Sequence, residues 1–223
     1  MTQETAALLL AAGLSRRMGQ QKLLLPLGDR PVIVRCIDTI RRAGIDNVVV
    51  VTGPEGGAVR NAIVNLPVTV VTNTDRESDM AGSVRAGLNA IGEAADSVFV
   101  CLGDHPLVSP ATFAAMQGIY RAAAPGIVVP RYLGRKGHPV LFPRPLLERI
   151  REVPTLRDIL IAHHGTLRLL DLYDEGVVID MDTPQDYREV RLRFSAADAA
   201  ARRMTGIIHA AGTAGAGAAG VPR

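Results

Sequence analysis

Four residues near the start of the chain have types that suit an anion: Gly13, Arg17, Gly19 and Lys22, within LLLAAGLSRRMGQQKLLLPLG at 8–28. Glycines let a backbone come close to a ligand and turn its amides toward negative charge. An arginine adds a planar fork for phosphate oxygens, and a lysine adds a point charge. The bland alternative is a glycine-rich turn with solvated basic residues, and the loop alone leaves the two evenly matched. Two carboxylates stand far away in sequence. Asp104 follows an apolar run in CLGDHPLV, and Asp182 lies in VIDMDTPQDY. A carboxylate beside a bound triphosphate suits Mg2+, which takes one or two protein carboxylates plus phosphate oxygens. The bland alternative for Asp104 is a turn residue before Pro106. For Asp182 it is a helix cap, but Thr183 and Asp186 already serve that purpose. Asp180 competes with Asp182 for the metal role, because alternation points both the same way on a continuing strand.

Spacing excludes several familiar sites. A Walker A loop needs G-x-x-x-x-G-K-[ST], but Gly13 and Gly19 are one residue too far apart and Lys22 is not next to Gly19. A dinucleotide fingerprint, G-x-G-x-x-G, fails at once on Gly13-Leu14-Ser15. His105, His138, His163 and His164 form no H-x-x-x-H or Cys/His cluster, so zinc is not expected. No G-x-S-x-G nucleophile elbow occurs.

These residues need elements to hold them. Apolar runs at 6–12, 47–52, 68–72 and 97–102 read as buried strands, with shorter strands expected at 126–130, 138–142, 167–171 and 176–180. Helical spacing appears at 31–43, 54–65, 79–91, 154–162 and 183–203. Ser109 and Pro110 open a further helix to about 122. Strands alternate with helices, so the expected fold is α/β, a mostly parallel sheet with helices on both faces. Ligands of such sheets bind at the carboxyl ends of the strands. Gly13, Arg17, Gly19 and Lys22 follow the first strand, Asn73 the third, Asp104 the central one and Asp182 the last, with Met80 and Ser83 near the helix start after Asn73, so one edge could gather them.

The 223 residues suffice for one domain with a sizeable core, expected over 1–209. Residues 48% hydrophobic but only 4% aromatic call for an aliphatic core. A net charge of +3 without basic–aromatic runs points to no nucleic-acid partner. Cys36 and Cys101 lie in apolar segments without a CxxC partner and read as packed thiols of a reducing compartment. Neither a signal segment nor an 18-residue apolar run appears, so a cytoplasmic protein without a membrane partner is expected. The Ala/Gly-rich stretch 210–223 is expected to be disordered.

LLLAAGLSRRMGQQKLLLPLGDRPV resembles the signature loop L-A-A-G-x-S-x-R-M-G-x-x-K of the MobA-like nucleotidyltransferases, more narrowly of their molybdenum cofactor cytidylyltransferase (MocA-like) branch. NTDRESDMAGSVRAGL, CLGDHPLV, GRKGHPVLF and VIDMDTPQDY follow in the family's order, so the resemblance runs from about 6 to 190. It implies a GT-A-like three-layer α/β sandwich with a mostly parallel mixed sheet. It implies transfer of CMP from CTP to the phosphate of molybdopterin, with Mg2+ and release of pyrophosphate, and it admits a client molybdoenzyme as partner. Carried over by position, Ala11, Ala12 and Gly13 hold the base and sugar side, and Gly13 to Gly19 wrap the triphosphate. Arg17 and Lys22 neutralise phosphate, Asn73 and Ser83 line the nucleotide pocket, and Asp104 binds Mg2+ with Asp182 as second carboxylate. Arg17, Lys22 and Asp104 are thus the catalytic set, and Gly137 and His138 lie toward the acceptor. The guanylyl branch usually has Ala-Gly-Gly where this chain has Ala11-Ala12-Gly13, so the resemblance favours cytosine. Two departures are His105, where many relatives have Met or Gln, and Asp79, where relatives often have glycine. A sibling guanylyltransferase or sugar-phosphate nucleotidyltransferase, and a non-catalytic carrier of the cofactor, are the alternatives.

Overall fold

The first apolar run becomes the middle of a sheet. In the computed structural model, which describes residues 4–122 and 125–214, strand β1 (Glu4–Ala11) is followed by a small hairpin of β2 (Pro26–Leu27) and β3 (Arg30–Pro31). Then come α1 (Val32–Arg42), β4 (Asn47–Thr52), α2 (Gly57–Ala62), β5 (Thr69–Thr72), α3 (Met80–Leu88) and β6 (Ala95–Leu102). The second half holds α4 (Pro110–Ala122), β7 (Val128–Tyr132), β8 (Arg135–Lys136), β9 (Val140–Pro143) and α5 (Arg144–Glu148). It closes with α6 (Leu156–Ala162), β10 (Arg168–Asp171) and α7 (Pro184–Ala214).

The main sheet has the order β10-β7-β9-β6-β1-β4-β5, with β8 hanging on β7. β1 pairs parallel with β4 and β6, β4 with β5, and β7 with β10. β9 runs antiparallel to both neighbours, β6 and β7, which makes the sheet mixed. This is the mostly parallel α/β architecture expected from the alternation of elements.

Alternation along the strands splits the core into two layers. Ala7, Leu9 and Ala11 of β1 face one cluster with Ile33, Ile37 and Ile40 of α1, Phe113 and Met116 of α4, and Val190 of α7. Ala6 and Leu8 face the other, with Val84 and Leu88 of α3, Leu147 of α5 and Ile159 of α6. Leu8 and Leu9 are both fully buried, as a strand covered on both faces requires. The core is aliphatic apart from a few rings such as Phe99 and Phe113, which meet edge to face at 5.0 Å.

Three segments depart from expectation. The strand expected at 176–180 is instead a 3-10 turn, Glu175–Val178. Its backbone serves a loop rather than a ladder: the Val177 carbonyl accepts from His138 N at 2.8 Å, and Gly176 presses on the Leu107 carbonyl. α2 is shorter than 54–65 and starts after Gly56, whose amide turns back to the Gly53 carbonyl at 3.0 Å. α7 is longer than 183–203 and runs to Ala214, so the stretch expected to be disordered from 210 begins inside it. The rest of that stretch, 215–223, lies outside the described residues.

Candidate active site

The parallel strands stop level with one another. Ala11 pairs with Thr52, Thr52 with Thr72, and Leu10 with Leu102. The four loops that follow surround a cleft of about 570 Å3 at the carboxyl edge. The first loop gives it Ala12, Gly13, Arg17 and Lys22; the later ones give Asn73 and Asp104; the first turn of α3 gives Ser83; the segment before α7 gives Asp182. Ala11 and Gly19 line an adjoining hollow of about 420 Å3 behind the same loop.

At the floor of the cleft one ammonium joins two carboxylates. Lys22 Nζ donates to Asp104 Oδ2 at 2.6 Å and to Asp182 Oδ1 at 2.8 Å. Arg17 donates to the other oxygen of Asp182. Lys22 is only 8% exposed, so its charge would be costly without these partners. Burial works to lower its pKa, but the hydrogen bonds to Asp104 and Asp182 outweigh that and the net shift is upward. The hydrogen bond from Lys22 holds the Asp182 carboxyl below the usual carboxylate range, with Arg17 adding to it.

Local structure places each of these groups. Gly103 N donates to the Leu10 carbonyl at 3.0 Å, and a Cβ there would lie 3.1 Å from that oxygen. The chain after β6 therefore leans over β1 and carries Asp104 toward Lys22. Asp182 is fixed by the start of α7. Asp186 Oδ2 accepts from both Asp182 N (3.1 Å) and Thr183 N (2.7 Å), while Thr183 Oγ1 accepts from Asp186 N, a reciprocal cap. Asp180 is exposed and does not line the cleft, because the segment is not the regular strand that would have aligned it with Asp182. The first loop turns at Gly19, whose φ of +67° is left-handed. Gly13 would meet nothing within 4 Å with a side chain, which leaves its face open to the cleft.

Reading the sequence missed Ser15. It takes a left-handed φ of +50°, rare outside glycine, and its hydroxyl accepts from Lys22 N at 3.1 Å while donating to Gln21 Oε1 at 2.9 Å. Ser15 thus pins the backbone of Lys22. Its only signal was its place inside the quoted loop. Glu55 and Arg76 were also missed; they pair at 3.1 Å on the rim, after β4 and β5. On the same side Asn73 Nδ2 donates to Ser78 Oγ at 2.7 Å and Ser83 Oγ at 3.4 Å. Asp79, the departure before Met80, caps α3 by accepting from Gly82 N at 2.8 Å.

Gly137 and His138 do not line this cleft. Gly137 is wedged against the Val177 carbonyl, where a Cβ would come within 2.1 Å. The His138 ring meets His105 edge to face at 5.5 Å beside a cavity of about 20 Å3 shared with Cys36 and Cys101. Burial, aided by His105, pushes the His138 imidazole down to about 4 against the pull of Asp104. Burial also pushes the Cys36 thiol up to about 12 and raises Cys101, so both are the packed thiols expected. Among the described residues no three His, Cys, Asp or Glu side chains gather as a metal cluster. Asp104 and Asp182 offer two carboxylates around one cation, a donor set of the number and hardness that suits Mg2+.

A family model described as the MobA-like NTP transferase domain matches residues 7–170, which include the loop, β6 and Asp104. The chain belongs to the MobA-like NTP transferase family. It is an enzyme, a nucleotidyltransferase. This MobA-like chain is 26% identical to the molybdenum cofactor cytidylyltransferase of Escherichia coli, over 83% of its own length and 94% of that protein's. It is 29% identical to the purine catabolism protein PucB of Bacillus subtilis, over 83% and 95%. Among solved structures it resembles Rv0371c of Mycobacterium tuberculosis at 32% identity and a TM-score of 0.75, covering 85% of this chain and 98% of that one. A second structure of Rv0371c is a complex with manganese. No helix of the described residues is long and apolar enough to cross a membrane.

Proposed function

We propose that this nucleotidyltransferase joins CMP from CTP to the phosphate of molybdopterin and releases pyrophosphate, with Mg2+ held by Asp104 and Asp182. The observation that carries the reading is the chain of charges Asp104–Lys22–Asp182 in the cleft, continued by the exposed Arg17 on Asp182. It supplies movable positive charge for phosphates and hard oxygen donors for a cation in one place. The manganese complex of Rv0371c supports a divalent ion. Ala11-Ala12-Gly13 and the Escherichia coli relative support cytosine and molybdopterin.

In the reaction a bond forms between an acceptor phosphate oxygen and the α-phosphorus of the nucleotide. The bond from that phosphorus to the bridging oxygen of pyrophosphate breaks. The acceptor phosphate is already an anion, so no side chain has to remove a proton. Bound Mg2+ would neutralise phosphate charge as a Lewis acid. The chain's own task is to position two negative reactants and to meet the charge that grows on pyrophosphate. Lys22 and Arg17 can turn their N–H donors from the carboxylates to the phosphates, and Gly13 leaves room for them to approach.

The test is pyrophosphate release with CTP, GTP and ATP in turn, each with and without molybdopterin. Release that needs molybdopterin and is fastest with CTP is expected. Preference for GTP would overturn the base assignment, and no release with any nucleotide would favour a cofactor carrier.

A further inference from the structure

The position of the Lys22 ammonium has a consequence for how ligands enter the cleft. Of the 25 lysine and arginine residues, only Lys22 and Lys136 are lysines. One of these two sits nearly buried between the carboxylates, with Nζ 2.6 Å from Asp104 and 2.8 Å from Asp182. An arginine there could lock onto a carboxylate through two parallel hydrogen bonds, whereas a lysine is a point charge on a flexible stem. The oxygens it occupies are the ones a divalent cation would need. A dication and an ammonium cannot both sit on these oxygens without strong repulsion in a partly buried site.

We propose that Lys22 is an internal stand-in for the divalent cation: it bridges Asp104 and Asp182 in the free protein and must leave them before a metal can bind. A triphosphate gives the ammonium a new partner, so nucleotide binding frees the carboxylates and metal binding frees the lysine. The two ligands are then coupled through one side chain, and each binds weakly without the other. The role of the triphosphate rests on the function proposed above; the competition between Lys22 and a metal does not.

The test uses MnCl2 with the full chain and no nucleotide. Calorimetry or electron paramagnetic resonance on Lys22→Met should show Mn2+ binding at least 10-fold tighter than wild type. Lys22→Arg should bind it more weakly than wild type. A second measurement needs no variant. In wild type an amine-acetylating reagent, read by mass spectrometry, should modify exposed Lys136 quickly and Lys22 slowly, and saturating MnCl2 should raise the Lys22 rate relative to Lys136 several-fold. Unchanged or weaker Mn2+ binding in Lys22→Met, or a Lys22 labelling rate indifferent to MnCl2, would overturn the exchange. If pyrophosphate release is absent while both effects appear, the exchange stands and the functional reading falls. If release is present while both effects are missing, the reverse holds.

Discussion

Lys22 keeps its charge in a nearly buried place because two carboxylates meet it there, and this triad is where activity should be most sensitive to substitution. Lys22→Ala or Asp104→Ala should lower turnover by about 10²-fold or more, the cost of losing one preorganised charge contact at a reacting phosphate. Near-normal turnover in both would defeat the assignment of the site. Asp182→Asn should lower activity sharply while Asp180→Asn leaves it within about twofold, since only Asp182 lines the cleft. Steady-state kinetics on the pair separates two aspartates that the sequence could not. The signs of the titrations fix the pH window of the triad. Asp182, held low, contributes stability above its ordinary value near 3.9 that is lost as pH falls through its folded value. Lys22, held high, contributes stability below its ordinary value near 10.4 that is lost as pH rises through its folded value. Thermal melts of Lys22→Met and wild type should therefore differ by the same amount at pH 6 and pH 9.

At the scale of elements, the link between β8 and β9 is a tightly packed joint. Gly137 N donates to the Pro130 carbonyl at 2.9 Å and His138 N to the Val177 carbonyl at 2.8 Å. The first bond ties the link to β7, and the second draws the turn Glu175–Val178 against it, four residues ahead of Asp182. Gly137→Ala would put a Cβ 2.1 Å from the Val177 oxygen and 2.6 Å from its carbon, both backbone atoms that cannot rotate away. Urea unfolding should show a loss of about 1–3 kcal/mol, the usual cost of overpacking. Gly92→Ala, where a Cβ meets nothing within 4 Å, serves as the control and should stay within about 0.5 kcal/mol. Equal losses in the two variants would mean that the joint yields more easily than its geometry implies.

For the whole molecule, His138 sets a pH dependence of stability on the acid side. The folded chain keeps this ring neutral down to about 4, while the unfolded chain takes up its proton near the ordinary 6.5. The unfolded state binds more protons between those values, so stability is full above about pH 6.5 and declines as pH falls toward 4. The loss amounts to about 3 kcal/mol at roughly 1.4 kcal/mol per pH unit. His138→Gln should remove most of the difference in unfolding free energy between pH 7.5 and pH 5. A variant with the same pH slope as wild type would show that the ring is not held neutral. The ring of His138, the residue expected toward the acceptor, packs with His105, Cys36 and Cys101 around the small cavity under α1, beside β6, the strand that precedes Asp104.

The sequence by itself determined the alternating α/β order, the strand at 47–52, the packed thiols and the loop of Gly13, Arg17, Gly19 and Lys22. These are local signals: apolar runs, helical spacing, caps and residue types that keep their meaning without neighbours. Thr183 and Asp186 were legible as a cap for the same reason, because a reciprocal cap spans four residues. Only the tertiary structure decided which carboxylates Lys22 meets, since Asp104 and Asp182 stand 82 and 160 residues away along the chain. It also decided for Asp182 over Asp180 as a wall of the cleft and against a strand at 176–180. Alternation tells which face of a strand would be buried, but not whether the backbone finds a ladder to join. At Val177 the carbonyl was taken by His138, and the chain reached the cleft as a loop.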